Sequence, residues 1–232
     1  LMVTMSGADP GPNQGNSYQL NTQLLITDND NDGVNSDLDC DDTDPNLGDI
    51  NADPECDGPN MVTCTGDFLV DGTDAQDELD AISNCHTITG SLTISNTGLT
   101  NLNGLEDLES VGGYLWISYN AALTSLDGLS GLTSVGGVLQ LYDNDALTSI
   151  EGLSGLASVG EDLYIGYNAA LTSLDGLSGL TTVGGYLYIR ENAALTSLDG
   201  LSGLTTVGGD LSIYYNDLLC EDYAWDLANS IT

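Results

Sequence analysis

The chain sets 36 acidic residues against a single arginine, Arg190, with no lysine, so its 232 residues carry a formal charge of -35. That balance repels nucleic acids and anionic membranes, and it excludes a lysine nucleophile or a basic clamp on phosphate. An apolar share of 41% nonetheless suits a folded chain, long enough for one large domain or one with an appendage. Self-repulsion on this scale calls for salt screening, as in brine or seawater, or for bound divalent cations that cancel part of it.

No segment is long and apolar enough to span a membrane. LMVTM at the start lacks the basic flank and long apolar run of a signal peptide, so a start at Leu1 reads as a processed or trimmed product. Residues 1–26 are read as a strand-like arm, in which LMVTM and YQLNTQLLIT are separated by the Gly/Pro/Asn-rich SGADPGPNQGNS. Short sticky strands of this kind pair with each other, cover the side of a larger body, or add to a neighbouring subunit.

Residues 27–63 are predicted to bind calcium. The stretch TDNDNDGVNSDLDCDDTDP holds eight aspartates and no basic residue. Asp28, Asp30, Asp32 and Gly33 fit the opening of an EF-hand-type loop, where carboxylates on alternate residues converge on one hard cation and glycine allows the sharp turn. Counting on, Val34 falls at position 7, which offers a backbone carbonyl, and Asp39 at position 12, where Asp in place of Glu shortens a bidentate ligand. Asp37, Asp41, Asp42 and Asp44 extend the set far enough for a second ion, so one or two Ca2+ ions are expected. Hard oxygen ligands with no histidine nearby disfavour copper. No helices flank the loop, which argues against an EF-hand domain. The segment resembles thrombospondin type 3 repeats. It also resembles a bacterial metal-binding motif in which DCDD is followed by a PE-x-CDG element, here Pro54-Glu55-Cys56-Asp57-Gly58. This second resemblance implies a Cys40–Cys56 disulfide.

The five cysteines (Cys40, Cys56, Cys64, Cys85 and Cys220) leave at least one unpaired in a monomer, and the spacing of the first four suggests two bridges. With the aspartate segment, this points to an oxidising, calcium-rich space outside the cytoplasm.

Residues 64–232 are a repeat, with an N-terminal cap at 64–87, coils at 88–218 and a C-terminal cap at 219–232. Thr73-Asp74-Ala75-Gln76 has the form of a capping box and opens a short helix to about Ser83. Cys64 and Cys85 bracket this unit and would staple it shut. From Gly112 the period is 24 residues, beginning GGYLWISYNAALTSLDGLSGLTSV and GGVLQLYDNDALTSIEGLSGLASV. GSLTISNTGLTNLNGLEDLESV is a degenerate copy, read as one residue short in its strand, and GDFLV sits 24 residues earlier. Leu115-Trp116-Ile117 alternates as a strand with Trp outward. Asn120 recurs as Asn96, Asn144, Asn168, Asn192 and Asn216, suggesting a ladder at a bend. LTSLDGLSGLTSV sends Leu or Val inward at every third position, and the glycines of DG and GG are expected to supply positive-φ turns. A coil cannot bury its apolar face alone, but stacked coils share a core. CEDYAWDLANSIT abandons the repeat as a helix, with Tyr223, Trp225 and Leu227 available to cover the last coil.

NCHTITGSLTISN followed by LEDLESVGGYLWI resembles the receptor L-domain family, found in growth-factor receptor ectodomains and bacterial surface proteins. The resemblance runs over about Cys64–Thr232 and implies a right-handed β-helix related to leucine-rich repeats. The near-identity of the coils departs from the receptor domains, so the fold is carried over and the receptor function is not.

Active sites are poorly supported. His86 beside Cys85 cannot face it across a cleft, and the serines have no histidine to activate them. Asp127, Glu151, Asp175 and Asp199 stack in one environment, whereas a glycosidase needs two carboxylates in unlike ones, so turn capping by Asp before Gly is the better account. The Thr column (Thr124, Thr148, Thr172, Thr196) is assigned to the turn. The outward strand face carries Trp116, Tyr164 and Tyr188 in one column with Gln140, flanked by Tyr114 and Tyr186, with Tyr142 and Tyr214 in the next. Exposed aromatics gathered on a sheet mark a contact surface. The sequence therefore predicts a mainly β solenoid of 24-residue coils with short capping helices and an N-terminal calcium-binding arm. It would be non-enzymatic, extracellular and structural or adhesive, assembling with itself into a filament or surface layer. The alternative is a monomeric recognition module that binds a surface glycan or protein through the aromatic face. Neither reading involves nucleic acid or membrane insertion.

Overall fold

The computed structural model describes residues 61–231; the arm and the aspartate segment lie outside the described residues. In chain order the elements are β1 (Thr63–Cys64), β2 (Phe68–Asp71), α1 (Ala75–Asp80), β3 (Thr87–Ile88), β4 (Leu92–Ser95), β5 (Ser110–Val111), β6 (Leu115–Ser118), β7 (Ser134–Val135) and β8 (Leu139–Tyr142). They continue as β9 (Ser158–Val159), β10 (Leu163–Gly166), β11 (Thr182–Val183), β12 (Leu187–Arg190), β13 (Thr206–Val207), β14 (Leu211–Tyr214) and α2 (Glu221–Ser230). Even-numbered strands form one parallel sheet of seven and odd-numbered strands a second, so each turn of the solenoid gives one strand to each sheet. One-turn 3-10 helices at Asp127–Leu129, Glu151–Leu153, Asp175–Leu177 and Asp199–Leu201 close the third side.

The periodicity of the apolar residues produces this shape. Along β6, Leu115 and Ile117 are fully buried while Trp116 is exposed, as strand alternation requires. Beyond the strand, Leu123, Leu126, Leu129, Leu132 and Val135 each send a side chain into the core with 0–1% exposure. Each such burial contributes about 1.5–3 kcal/mol, and stacking makes the core continuous from coil to coil.

An asparagine ladder runs from Asn120 to Asn216 through successive coils. Asn168 Nδ2 donates to the Leu141 carbonyl (3.0 Å), and Asn168 Oδ1 accepts from the Asn144 backbone N–H (3.2 Å). Asn120, Asn144, Asn192 and Asn216 repeat the same reach back to the preceding coil. Asn96 does not belong to this ladder. β4 pairs in register with β6 from Leu92↔Leu115 to Ser95↔Ser118, so the strand is whole and the missing residue falls in the bend after it. Thr97 takes the ladder place, its N–H and Oγ1 donating to Asn120 Oδ1 at 3.0 and 2.8 Å. A slip within the strand would have turned Leu92 and Ile94 out to solvent, whereas a shortened bend costs the core nothing.

The glycines also act otherwise than expected. Positive φ falls on Asn96, Tyr119, Asp143, Tyr167, Glu191 and Tyr215, the residue before each ladder position, and among the described glycines only on Gly66, Gly72 and Gly104, ahead of the regular coils, not on the DG and GG glycines of the regular coils. Those glycines are required by close approach: a Cβ on Gly128, Gly152, Gly176 or Gly200 would overlap a carbonyl of the coil before it.

The caps differ in detail too. Asp74, not Thr73, is the residue before α1, and no side chain caps that helix, so the capping box does not form. Glu78 Oε2 instead accepts the Asp71 N–H at 2.7 Å and ties α1 to the end of β2. Cys64 and Cys85 are joined in a disulfide with Cα atoms 5.7 Å apart, as the bracketing predicts. On α2, Leu227 is buried but Tyr223 stays 37% exposed; the Trp225 side chain lies outside what is described.

Two measurements check the stacking argument. Asn168→Ala leaves the Leu141 carbonyl and the Asn144 N–H without partners, and chemical denaturation should report a loss of roughly 2–5 kcal/mol. Gly176→Ala should cost about 2 kcal/mol or more by overpacking, while Gly98→Ala, whose Cβ meets nothing within 4 Å, should leave the midpoint within about 0.5 kcal/mol of the parent.

Candidate functional site

Asp28, Asp30, Asp32, Val34, Asp37, Asp39, Asp41, Asp42 and Asp44, together with the Cys40–Cys56 bridge, lie outside the described residues. Among the described residues no three His, Cys, Asp or Glu side chains are grouped to hold a metal ion.

The positions weighed for catalysis resolve into structural parts. Cys85 is in the disulfide, and His86 Nδ1 accepts the Val62 N–H at 3.2 Å. Asp127, Glu151, Asp175 and Asp199 are all exposed at the first residue of successive 3-10 turns. They do not cap those turns. No side chain caps them; Ser125, Ser149 and Ser197 each accept with Oγ from the acidic residue's N–H at 2.9–3.1 Å, leading the chain into the turn. The serine lies two residues earlier, within reach of that N–H, and the carboxylates are left to water. In the Thr column, the hydroxyls of Thr124, Thr148 and Thr196 donate to the backbone carbonyls of Thr100, Thr124 and Thr172 in the preceding coil.

The outward face of the even-numbered sheet carries a connected group of tyrosines flanked by two aromatic pairs. Register places Trp116, Gln140, Tyr164 and Tyr188 in one column, with Ser118, Tyr142, Gly166, Arg190 and Tyr214 beside it. Tyr114 stacks on Trp116 with ring centres 4.2 Å apart, and Tyr186 on Tyr188 at 5.7 Å. Tyr164 lies 5.8 Å from both Tyr142 and Tyr188.

Three further tyrosines and the lone arginine, none of them marked from the sequence, belong to this face. Tyr119, Tyr167 and Tyr215 occupy the positive-φ places, and Tyr119 and Tyr167 bring their rings edge-on to Tyr142 at 5.5 and 5.0 Å. Arg190 lies over Gly166, where any Cβ would press on its Cγ and on the Tyr164 ring. Its guanidinium sits 5.0 Å from the Tyr164 ring and 5.2 Å from the Tyr167 ring, and Nη1 donates to Tyr214 Oη at 3.2 Å. The signal for the tyrosines was their place before ladder asparagines.

Arg190 Nε and Tyr164 Oη are buried without hydrogen-bond partners among the described residues. Burial pushes the Tyr142, Tyr164 and Tyr188 hydroxyls above their ordinary value, with Arg190 opposing the rise at Tyr142 and Tyr164. The rings are neutral phenols with the chain's one arginine among them, and carboxylates such as Asp143 and Asp162 stand beside them.

A family model, the receptor L domain, matches residues 84–160, a span that runs from the end of the N-terminal cap through β9 and includes Tyr114, Trp116, Tyr119 and Tyr142. No curated protein matches the chain. The likeness of residues 27–58 to thrombospondin type 3 repeats rests on their sequence alone. No helix among the described residues is long and apolar enough to cross a membrane.

The raised hydroxyls set an alkaline boundary. A tyrosine whose folded pKa lies above its unfolded value of 10.0 favours the folded state fully below pH 10 and loses that contribution as pH climbs through the folded value. Absorbance titration of tyrosinate should show a late-ionising group that loses one member in Tyr164→Phe. The Tyr164 hydroxyl makes no well-aligned hydrogen bond but lies beside the Arg190 guanidinium, so the same variant should keep its stability within about 1 kcal/mol of the parent.

Proposed function

We propose that this chain is a non-enzymatic extracellular protein of structural or adhesive type, a right-handed β-helix that presents its aromatic sheet face to a surface glycan or protein. The carrying observation is the face itself. Rings from successive coils adjoin one another, Trp116, Tyr119, Tyr186, Tyr214 and Tyr215 are exposed, and one arginine lies among them. Pyranose rings stack on such surfaces, and protein interfaces concentrate Tyr, Trp and Arg in the same way. The receptor L-domain match and the Cys64–Cys85 disulfide support an extracellular setting. The exposed, uniform carboxylate column supports a non-enzymatic role, since it offers no pair of unlike acids.

Self-assembly through the solenoid is a second reading, favoured by the state of the last coil. Leu211 and Ile213 of β14 are only partly buried, whereas Leu187 and Ile189 of β12, at the same places one coil earlier, are fully buried. An unpaired strand edge with half-covered apolar residues invites another strand.

Calcium at Asp28–Asp44 would neutralise part of the repulsion in the segment before the solenoid and fold it around the ion.

Two experiments test these proposals. A glycan and surface-protein binding screen should find a ligand whose affinity falls about tenfold or more in Trp116→Ala or Tyr188→Ala, with Leu69→Ala at the far end of the column unaffected. No ligand for the face, or equal losses in all three variants, would count against it. Calorimetric titration with calcium should show one or two ions bound, and Asp30→Asn with Asp32→Asn should abolish the first. Retained binding in the double variant would remove those residues from the site.

A further inference from the structure

The ladder has a direction, and that direction distinguishes the two ends of the solenoid. Each asparagine bonds backwards: its Nδ2 donates to a carbonyl of the preceding coil, and its Oδ1 accepts the N–H of the preceding ladder residue. Every ladder residue thus needs a following asparagine to receive its own N–H. For Asn216 there is none, and among the described residues no group accepts from that N–H. The strand edge beside it is in the same condition. Inner coils donate forward, Leu187 N–H to the Asp210 carbonyl and Glu191 N–H to the Tyr214 carbonyl. The corresponding N–H groups of Leu211 and Tyr215 meet no acceptor among the described residues. A cavity of about 540 Å³ lies against this edge, lined by Ile213, Tyr214, Asn216, Leu219 and Ala224. Both ends carry a helix: α1 lies against β2 at the other end, where Glu78 takes the Asp71 N–H, and α2 flanks the groove at this one, with Ala224 and Ala228 facing Leu211 and Ile213.

What would complete the open coil is a six-residue unit: a strand with inward apolar residues at its first and third positions, one positive-φ residue, and an asparagine. In this chain that unit reads LWISYN at 115–120, LQLYDN at 139–144, LYIGYN at 163–168, LYIREN at 187–192 and LSIYYN at 211–216. It occurs once more, outside the described residues, as LLITDN at 24–29. The likeness to the second copy runs on for one residue: LQLYDND at 139–145 against LLITDND at 24–30.

We propose that the β14 edge receives Leu24–Asn29 of a second copy of the chain as an added parallel strand. The register sets Leu24 on Leu211, Ile26 on Ile213 and Asn29 on Asn216. Leu24 and Ile26 cover the half-buried core residues. Asn29 Oδ1 accepts the Asn216 N–H, and its Nδ2 donates to the Ile213 carbonyl, as each ladder asparagine does one coil earlier. The polarity of the ladder selects this end, because an asparagine placed ahead of β2 would have no preceding coil to reach. The contact is heterologous, head to tail, and therefore open-ended. This proposal rests on the self-assembly reading and gives that reading its joint.

The test uses the full chain carrying Cys220→Ser. Leu25→Cys with Ser212→Cys puts two outward residues opposite each other in the proposed register. Leu25→Cys with Leu69→Cys offers the same column at the other end. Mild oxidation should give covalent dimers and longer ladders for the first pair and little for the second. Adding Ile26→Asp should cut that yield about tenfold, since a carboxylate would replace the inward apolar contact. A cross-link within single chains, comparable linking to Leu69→Cys, or no linking at all would overturn the proposal. Electron microscopy of the parent and of Ile26→Asp separates it from the reading beneath it. Filaments lost only in the variant support both, filaments in both overturn the joint alone, and filaments in neither overturn both.

Discussion

Everything in this solenoid depends on one requirement, that each coil present its backbone groups at the height where the next coil's groups can meet them. Parallel strands stacked about 4.8 Å apart leave no room for local adjustment. The ladder asparagines make the requirement strict, because each satisfies a carbonyl and an N–H of its neighbour at once. The closely packed glycines of the 3-10 turns impose it a second time on the opposite side of the coil. A sequence under both constraints has little freedom in its inward and turn positions, which is why 24 residues recur with so few changes.

The same requirement explains which parts of the fold could be read from the sequence. Inward residues were legible because burial writes a period-two pattern in the strands and a period-three pattern in the turns. Leu115, Ile117, Leu123 and Leu126 are where that pattern places them. In the short coil the asparagine, which looks like the marker of register, is one residue out of place. The core sets register, and Thr97 can offer part of the ladder chemistry while Asn96 moves to the turn. Glycine was misread because its two uses, permissive torsion and absent bulk, look the same in a sequence. Only the distance to the preceding coil separates them.

Freedom remains at the outward strand positions and at the positive-φ residue, and there the coils differ. Trp116, Gln140, Tyr164 and Tyr188 share a column without sharing an identity, and Tyr119, Asp143, Tyr167, Glu191 and Tyr215 vary in the same way. Variation concentrated on one face of an otherwise nearly uniform solenoid is what a contact surface requires, because the scaffold imposes little there. Half of that surface was visible as an aromatic column. The other half needed the knowledge that the bend turns those tyrosines back onto the strand face.

Stacking also fixes where the negative charge must go. The four regular coils place an acid at the same point of the turn, so Asp127, Glu151, Asp175 and Asp199 stand in register about one coil spacing apart. Two unit charges at such a distance repel by roughly 1 kcal/mol in water, and less in salt. Exposure keeps this tolerable, and it is smaller than the core contribution of a single coil. The one cation could have relieved such a column and does not. Arg190 instead lies across Gly166 among phenol rings, bonded to Tyr214 and facing Tyr164 and Tyr167. There its own desolvation is offset by ring faces and a hydroxyl rather than by a carboxylate. The lone positive charge of the chain therefore distinguishes the aromatic face from every other surface of the rod, and this supports reading that face as the place where the molecule meets something else.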